Sequence, residues 1–168
     1  MAADDRLIFD RAQALLDGLV ALYATRSEAA PEEQFVTTGP VALDCCETLA
    51  VSVGRIFLGL PANPQPGDGL IRGSALEGAT SVELTIVAAR IIPTIERRGD
   101  QPVFPTAAQI TASAIVTATD AWLLTDGIRE VVRDGVFEPC SDVAIGDVVP
   151  LDNAGGFGGF EARLVVQL

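Results

Sequence analysis

Residues 80–92, TSVELTIVAARII, alternate with a period of two. Val82, Leu84, Ile86 and Ala88 fall on one side and Glu83 and Thr85 on the other. Successive side chains of a strand point to opposite faces, so the run reads as a half-buried strand. An apolar strand face has to be covered by a second layer. Pro93 supplies no ladder donor and ends the regular pairing.

Two helical stripes offer that layer. Within residues 4–24, Ile8, Ala12, Leu15, Leu19 and Leu22 recur at spacings of four and three, and Leu16, Val20 and Tyr23 widen the stripe. Asp4 and Asp5 stand at its start, where negative charge suits the helix dipole. The polar stretch RSEAAPEEQ ends it. Residues 106–134 carry a longer stripe through Ile110, Ala114, Thr117, Ala121, Leu124, Ile128 and Val131. Thr106, after Pro105, is a natural N-cap and Gly135 a natural terminator. Gly127 costs that helix about 1 kcal/mol relative to alanine and marks a place for a kink.

Leu49, Val51 and Val53 alternate with Ala50, Ser52 and Gly54, and the strand they predict runs on through Arg55, Ile56 and Phe57. Before it, QFVTTGP is rich in β-branched residues and turns at Gly39-Pro40. Residues 59–79 hold three prolines and five glycines, which predicts a long loop, functional or partly disordered. Residues 93–105 read as a second long loop, a candidate arm. The tail predicts two more strands, one near Val136-Phe137 or at 142–149 and one at 160–168, joined by the glycine-rich turn PLDNAGGFGGF.

Neighbouring strands joined by loops rather than crossover helices predict an α+β fold: a largely antiparallel sheet covered on one face by two helices. With 168 residues, 49% of them apolar, the chain reads as a single domain over 1–168 with long loops at 59–79 and 93–105. No apolar run reaches membrane-spanning length, and MAADDRLIFD lacks the layout of a signal peptide, so synthesis in the cytoplasm and no membrane contact are expected. The net charge is -12; all 11 basic residues are arginine, and Arg97-Arg98 is the one basic pair. Such a balance disfavours binding to phosphate backbones.

The chemistry-bearing residues are few. There is no histidine, so a Ser-His-Asp arrangement is impossible and the usual base for a cysteine nucleophile is missing. Cys45 and Cys46 are adjacent, and Cys140 is the third cysteine. Three cysteines without histidine fall short of a structural zinc set, and adjacent strand positions point apart. One of the pair is therefore expected to face the core as a small hydrophobe, with a disulfide to Cys140 as the remaining option. GGFGGF precedes a strand rather than a helix, and without lysine it cannot be a P-loop. The acid pairs Asp4-Asp5 and Glu32-Glu33 lie in polar segments. No catalytic, cofactor-binding or metal-binding residue is expected, and no cofactor.

Three stretches resemble a known family. FVTTGPVALDCCETLAVSV contains Gly39, Ala42, Asp44, Cys46, Leu49, Val51 and Val53 in the spacing G-x-x-A-x-D-x-C-x-x-L-x-V-x-V. That segment is similar to one in neck proteins of long-tailed phages of actinobacteria. VELTIVAARIIPT resembles their next strand, and DNAGGFGGFEARLVVQL their closing glycine turn and last strand. Many relatives carry a further cysteine near the second strand; Leu76, Glu77 and Gly78 stand there instead. The order of elements resembles the tail terminator, and the fold it implies is tail-terminator-like.

The resemblance implies a virion protein of the tail and neck, forming a homo-hexameric ring. Such a ring caps the tail tube protein on one face, ends its polymerisation, and meets the head-to-tail connector or stopper on the other. DNA passes through the lumen without specific binding. Another connector ring, a stopper or adaptor, is the neighbouring reading. A small ligand-binding or enzymatic α+β domain is the reading from a different class.

Overall fold

The computed structural model describes residues 4–58, 80–98, 101–138, 142–152 and 156–167. The loop expected at 59–79, Cys140 and any disulfide it makes lie outside the described residues. The chain forms α1 (Asp4–Thr25), β1 (Glu33–Thr38), β2 (Thr48–Leu58), β3 (Thr80–Ile91), β4 (Glu96–Arg98), β5 (Gln101–Val103), α2 (Ala107–Arg133), β6 (Val143–Pro150) and β7 (Phe157–Gln167). Five strands form one sheet in the order β1-β2-β3-β7-β6. All its pairs are antiparallel except β1 with β2, which run parallel. The fold is α+β, with a mostly antiparallel sheet and two helices.

The alternation in β3 holds over residues 82–86, while residues 86–90 are buried on both faces. Val82, Leu84, Ile86 and Ala88 are fully buried, in one cluster with Leu15 and Leu19 of α1 and with Leu124 and Ile128 of α2. Helix α1 lies over β1 and β2, and α2 over β6 and β7. The two helices meet closely because glycines face large side chains: a Cβ at Gly18 would stand 2.8 Å from Val131 Cγ2, and one at Gly127 3.2 Å from Leu19 Cδ2. That close approach, rather than a break, is what Gly127 provides; α2 runs through it as one helix. Thr106 caps α2 as expected, its hydroxyl accepting from the Gln109 amide at 3.3 Å while Gln109 Oε1 accepts from Thr106 N–H at 2.9 Å. Gly135 turns the chain out of the helix at φ 84°.

Two expectations are corrected. Residues 93–105 are not a plain loop, because β4 and β5 pair there as a separate two-stranded ribbon, with Arg97 opposite Pro102. The cysteines are not strand residues, and neither faces the core: Cys45 and Cys46 sit in bends ahead of β2, the first exposed and the second half-buried. The physical reason is the parallel pairing. To enter β2 in the direction of β1, residues 39–47 must travel back along the sheet. Pro40, Val41 and Leu43 do so beside Ser52, Thr85 and Val87 on the face opposite the helices. In the tail, the first of the two alternatives for β6 gives way to the second, since 134–138 is a turn.

Candidate interaction surface

Helix α2 is longer than the core beneath it. Its buried residues begin at Asp120 and continue through Leu123, Leu124, Gly127, Ile128 and Val131. Residues 107–119, about 20 Å of helix at 1.5 Å per residue, contain no buried residue. Ile110 carries the apolar stripe into this half, Ile115 and Val116 lie on other sides of the helix, and all three are exposed. Ile91, at the end of β3, and Ile95, Val103 and Phe104, around the ribbon, are exposed on the chain that leads into α2. Phe104, Ile115 and Trp122 are 65%, 62% and 66% exposed. Single exposed apolar residues are ordinary, but a concentration of them in neighbouring elements marks a surface that another molecule covers.

A buried polar cluster fixes the point where α2 leaves the core. Arg90 Nε donates to Asp120 Oδ2 at 2.8 Å and its Nη2 to Asp120 Oδ1 at 2.9 Å. Its Nη1 donates to Glu47 Oε2 at 2.8 Å and its Nη2 to the Ala29 carbonyl at 2.7 Å. Tyr23 O–H donates to Asp120 Oδ1 at 2.8 Å, and the guanidinium carbon stands 5.9 Å from the Tyr23 ring centroid. One residue each from α1, β3 and α2, with two connecting segments, is thereby joined. Burial works against the Arg90 charge, but the hydrogen bonds it donates to Asp120 and Glu47 outweigh it and hold the pKa above its ordinary value. Burial first, and then the Asp120 charge, push the Tyr23 phenol far above its ordinary range.

Between the ribbon, the end of β3 and the exposed half of α2 lies an open cleft of about 490 Å³. Arg90 and Glu47 stand at its base and Val103, Phe104, Gln109 and Val116 on its walls. Arg90 directs its hydrogen bonds to Asp120, Glu47 and Ala29, and the cleft wall is a mixture of polar residues such as Thr94, Gln109 and Ser113 with apolar ones. Nothing in the sequence singled out Arg90 or Asp120, and Glu47 stood out only as an acid beside the cysteine pair. The available signal was position: Arg90 continues the buried alternation of β3, and Asp120 lies just before the buried run of α2.

Cys45 and Cys46 hold their sulfurs 2.8 Å apart. The shared hydrogen bond, and further the Asp44 carboxylate, keep the proton on Cys45 and push its thiol up to about 12. Among the described residues no group of three or more histidine, cysteine, aspartate or glutamate side chains could hold a metal ion, and no helix is long and apolar enough to cross a membrane. Glu32, just before β1, and Glu33, its first residue, are exposed, while the side chains of Asp4 and Asp5 lie outside the described residues. No protein-family model matches the chain, and no curated protein is significantly similar to it.

Proposed function

We propose that the chain is a structural subunit of a phage neck: a ring, hexameric by the resemblance described above, that caps the tail tube, ends its growth and joins it to the head connector. The observation that carries this reading is the exposed apolar half of α2 with the ribbon beside it. A monomer gains nothing from extending an apolar helix beyond its core. A ring subunit needs surfaces to give to a neighbour, a tube subunit and a connector. The segments around Gly39 to Val53 and the closing β6–β7 hairpin supply the resemblance that narrows the surface to a neck. The net charge of -12 suits a lumen through which DNA passes without adhering.

The stopper or adaptor reading shares this support. The ligand-binding reading rests on the cleft below the ribbon. Native mass separates the classes. A ring subunit assembles alone or on tube protein and shortens the tubes formed when added during their polymerisation. A chain that stays monomeric and leaves tube length unchanged is not a neck protein, and the cleft then becomes the place to look for a ligand.

A further inference from the structure

We infer that β1 is a docking edge for the β4 strand of a second copy of this chain, so that each subunit's ribbon extends its neighbour's sheet. The inference deepens the ring reading and rests on it for the identity of the partner.

The two edges of the main sheet are built differently. At β6 the register shifts between Ile145 and Val148, with Gly146 and Asp147 between them, and the strand ends on Pro150. A bulge, a charge and a proline are the devices by which edges resist pairing. Strand β1 carries no bulge and no proline along Glu33–Thr38, and its one charge, Glu33, stands at its first position. Its inner ladder is set by the Glu33 amide, which donates to the Glu47 carbonyl at 2.9 Å, and by Gly39, which donates to Val53. Strand residues alternate in the direction of their backbone groups. Gln34, Val36 and Thr38 therefore turn N–H and C=O outward, and among the described residues β1 pairs with β2 alone.

The ribbon has the matching need. Among the described residues it pairs only with itself, and Arg97, Gln101, Pro102 and Val103 are exposed. A lone two-stranded ribbon is marginal in water and gains from a third strand. Pro102 decides which side receives it. Proline cannot donate, so the Arg97–Pro102 pair occupies a position without cross-strand bonds. The outer edge of β5 thus lacks a donor at Pro102, while Arg97 turns its own N–H and C=O to the outer edge of β4. Charge selects the same partner: Arg97 is exposed on the ribbon, and Glu28, Glu32 and Glu33 are exposed at or just before β1. Ribbon and β1 edge are different surfaces, so the contact is head-to-tail, the type that repeats into a ring when its rotation closes.

The test measures self-association of the full chain by sedimentation velocity across concentration, with far-UV circular dichroism as a fold check. Gln34→Pro removes an outward donor from an exposed position and leaves the inner ladder intact; Arg97→Glu and Glu33→Arg reverse the charges. Each single variant is expected to weaken association about tenfold or more, and Arg97→Glu with Glu33→Arg to recover most of it. Should Gln34→Pro fail to fold, the charge pair decides alone. Variants that associate as the wild type does, or a double reversal without recovery, overturn the inference while leaving the neck reading intact if tubes are still capped. A wild type that remains monomeric at its highest soluble concentration also overturns it, and tube capping then judges the neck reading separately.

Discussion

Arg90 grips Asp120 through two parallel hydrogen bonds of 2.8 and 2.9 Å at the turn of α2 where the helix passes from core to surface. Both side chains are almost wholly buried, at 6% and 1% exposure. Two charges out of water are costly, and the pair holds only because Glu47, Ala29 and Tyr23 complete its hydrogen bonds. What it supplies is position: it fixes the start of the buried part of α2, and hence where the exposed half stands.

Asp120→Ala leaves the Arg90 charge without its main partner. The expected loss is about 3–5 kcal/mol of unfolding free energy, measured by urea denaturation followed by circular dichroism. Asp120→Leu combined with Arg90→Met removes both charges and is expected to cost less than Asp120→Ala alone. A double variant at least as unstable as the single one would show that the pair adds stability outright rather than geometry.

Tyr23 is the one tyrosine of the chain, so its ionisation can be followed cleanly by absorbance. Its folded pKa is raised, which places protons on the folded state that the unfolded chain releases. The resulting stability is fully present below about pH 10, the unfolded value. It is lost as pH rises from there towards the folded pKa, at about 1.4 kcal/mol per pH unit. Urea titrations at pH 8 to 11 are expected to show this decline, and Tyr23→Phe to flatten it. A tyrosinate signal appearing near pH 10 in the folded protein would contradict the burial.

The elements that announced themselves in the sequence are those whose period is imposed by burial. β3, α1 and the second half of α2 each set apolar residues against one shared core, and their patterns are regular for that reason. The ribbon escaped because its strands are three residues long, β5 is exposed throughout, and Pro102 reads locally as a breaker. Its compatibility with pairing depends on a partner across the turn. The cysteines were misplaced because local alternation cannot reveal that β1 and β2 run parallel, which is what makes residues 39–47 a return path. The buried cluster combines Tyr23, Arg90 and Asp120, whose sequence separations hide that they meet. The outer edge of β1 is a property of topology, which no single segment encodes.

Gly18 faces Val131 across the helix pair, with a hypothetical Cβ 2.8 Å from Cγ2 and 2.9 Å from Cγ1. Inside a helix, glycine to alanine ordinarily gains about 1 kcal/mol. Here the branched Val131 side chain has little freedom to move aside, and overpacking costs about 1–3 kcal/mol. Gly18→Ala is therefore expected to destabilise, whereas in a Val131→Ala background the same substitution is expected to stabilise. Thermal unfolding of the four proteins reads the reversal directly. A stabilising effect in both backgrounds would mean that the helices are not held at this distance.

Cys45 is exposed and still expected to be a poor nucleophile. With its pKa pushed up to about 12, the thiolate at pH 8 is roughly one part in ten thousand of the thiol. An ordinary cysteine near pKa 8.5 would present about a quarter as thiolate; the more basic Cys45 thiolate is the better nucleophile and offsets part of that deficit, so alkylation at Cys45 should run on the order of a hundredfold slower. Iodoacetamide labelling followed by peptide mass mapping separates Cys45 from the other cysteines when each is replaced in turn. Cys46→Ala removes the largest cause of the shift and should speed the reaction at Cys45, while Asp44→Asn should do so to a smaller degree. Rapid labelling of Cys45 in the unmodified chain at pH 8 would show a stabilised thiolate instead. That outcome would favour the enzymatic reading over the structural one, because an activated sulfur has no task in a ring subunit.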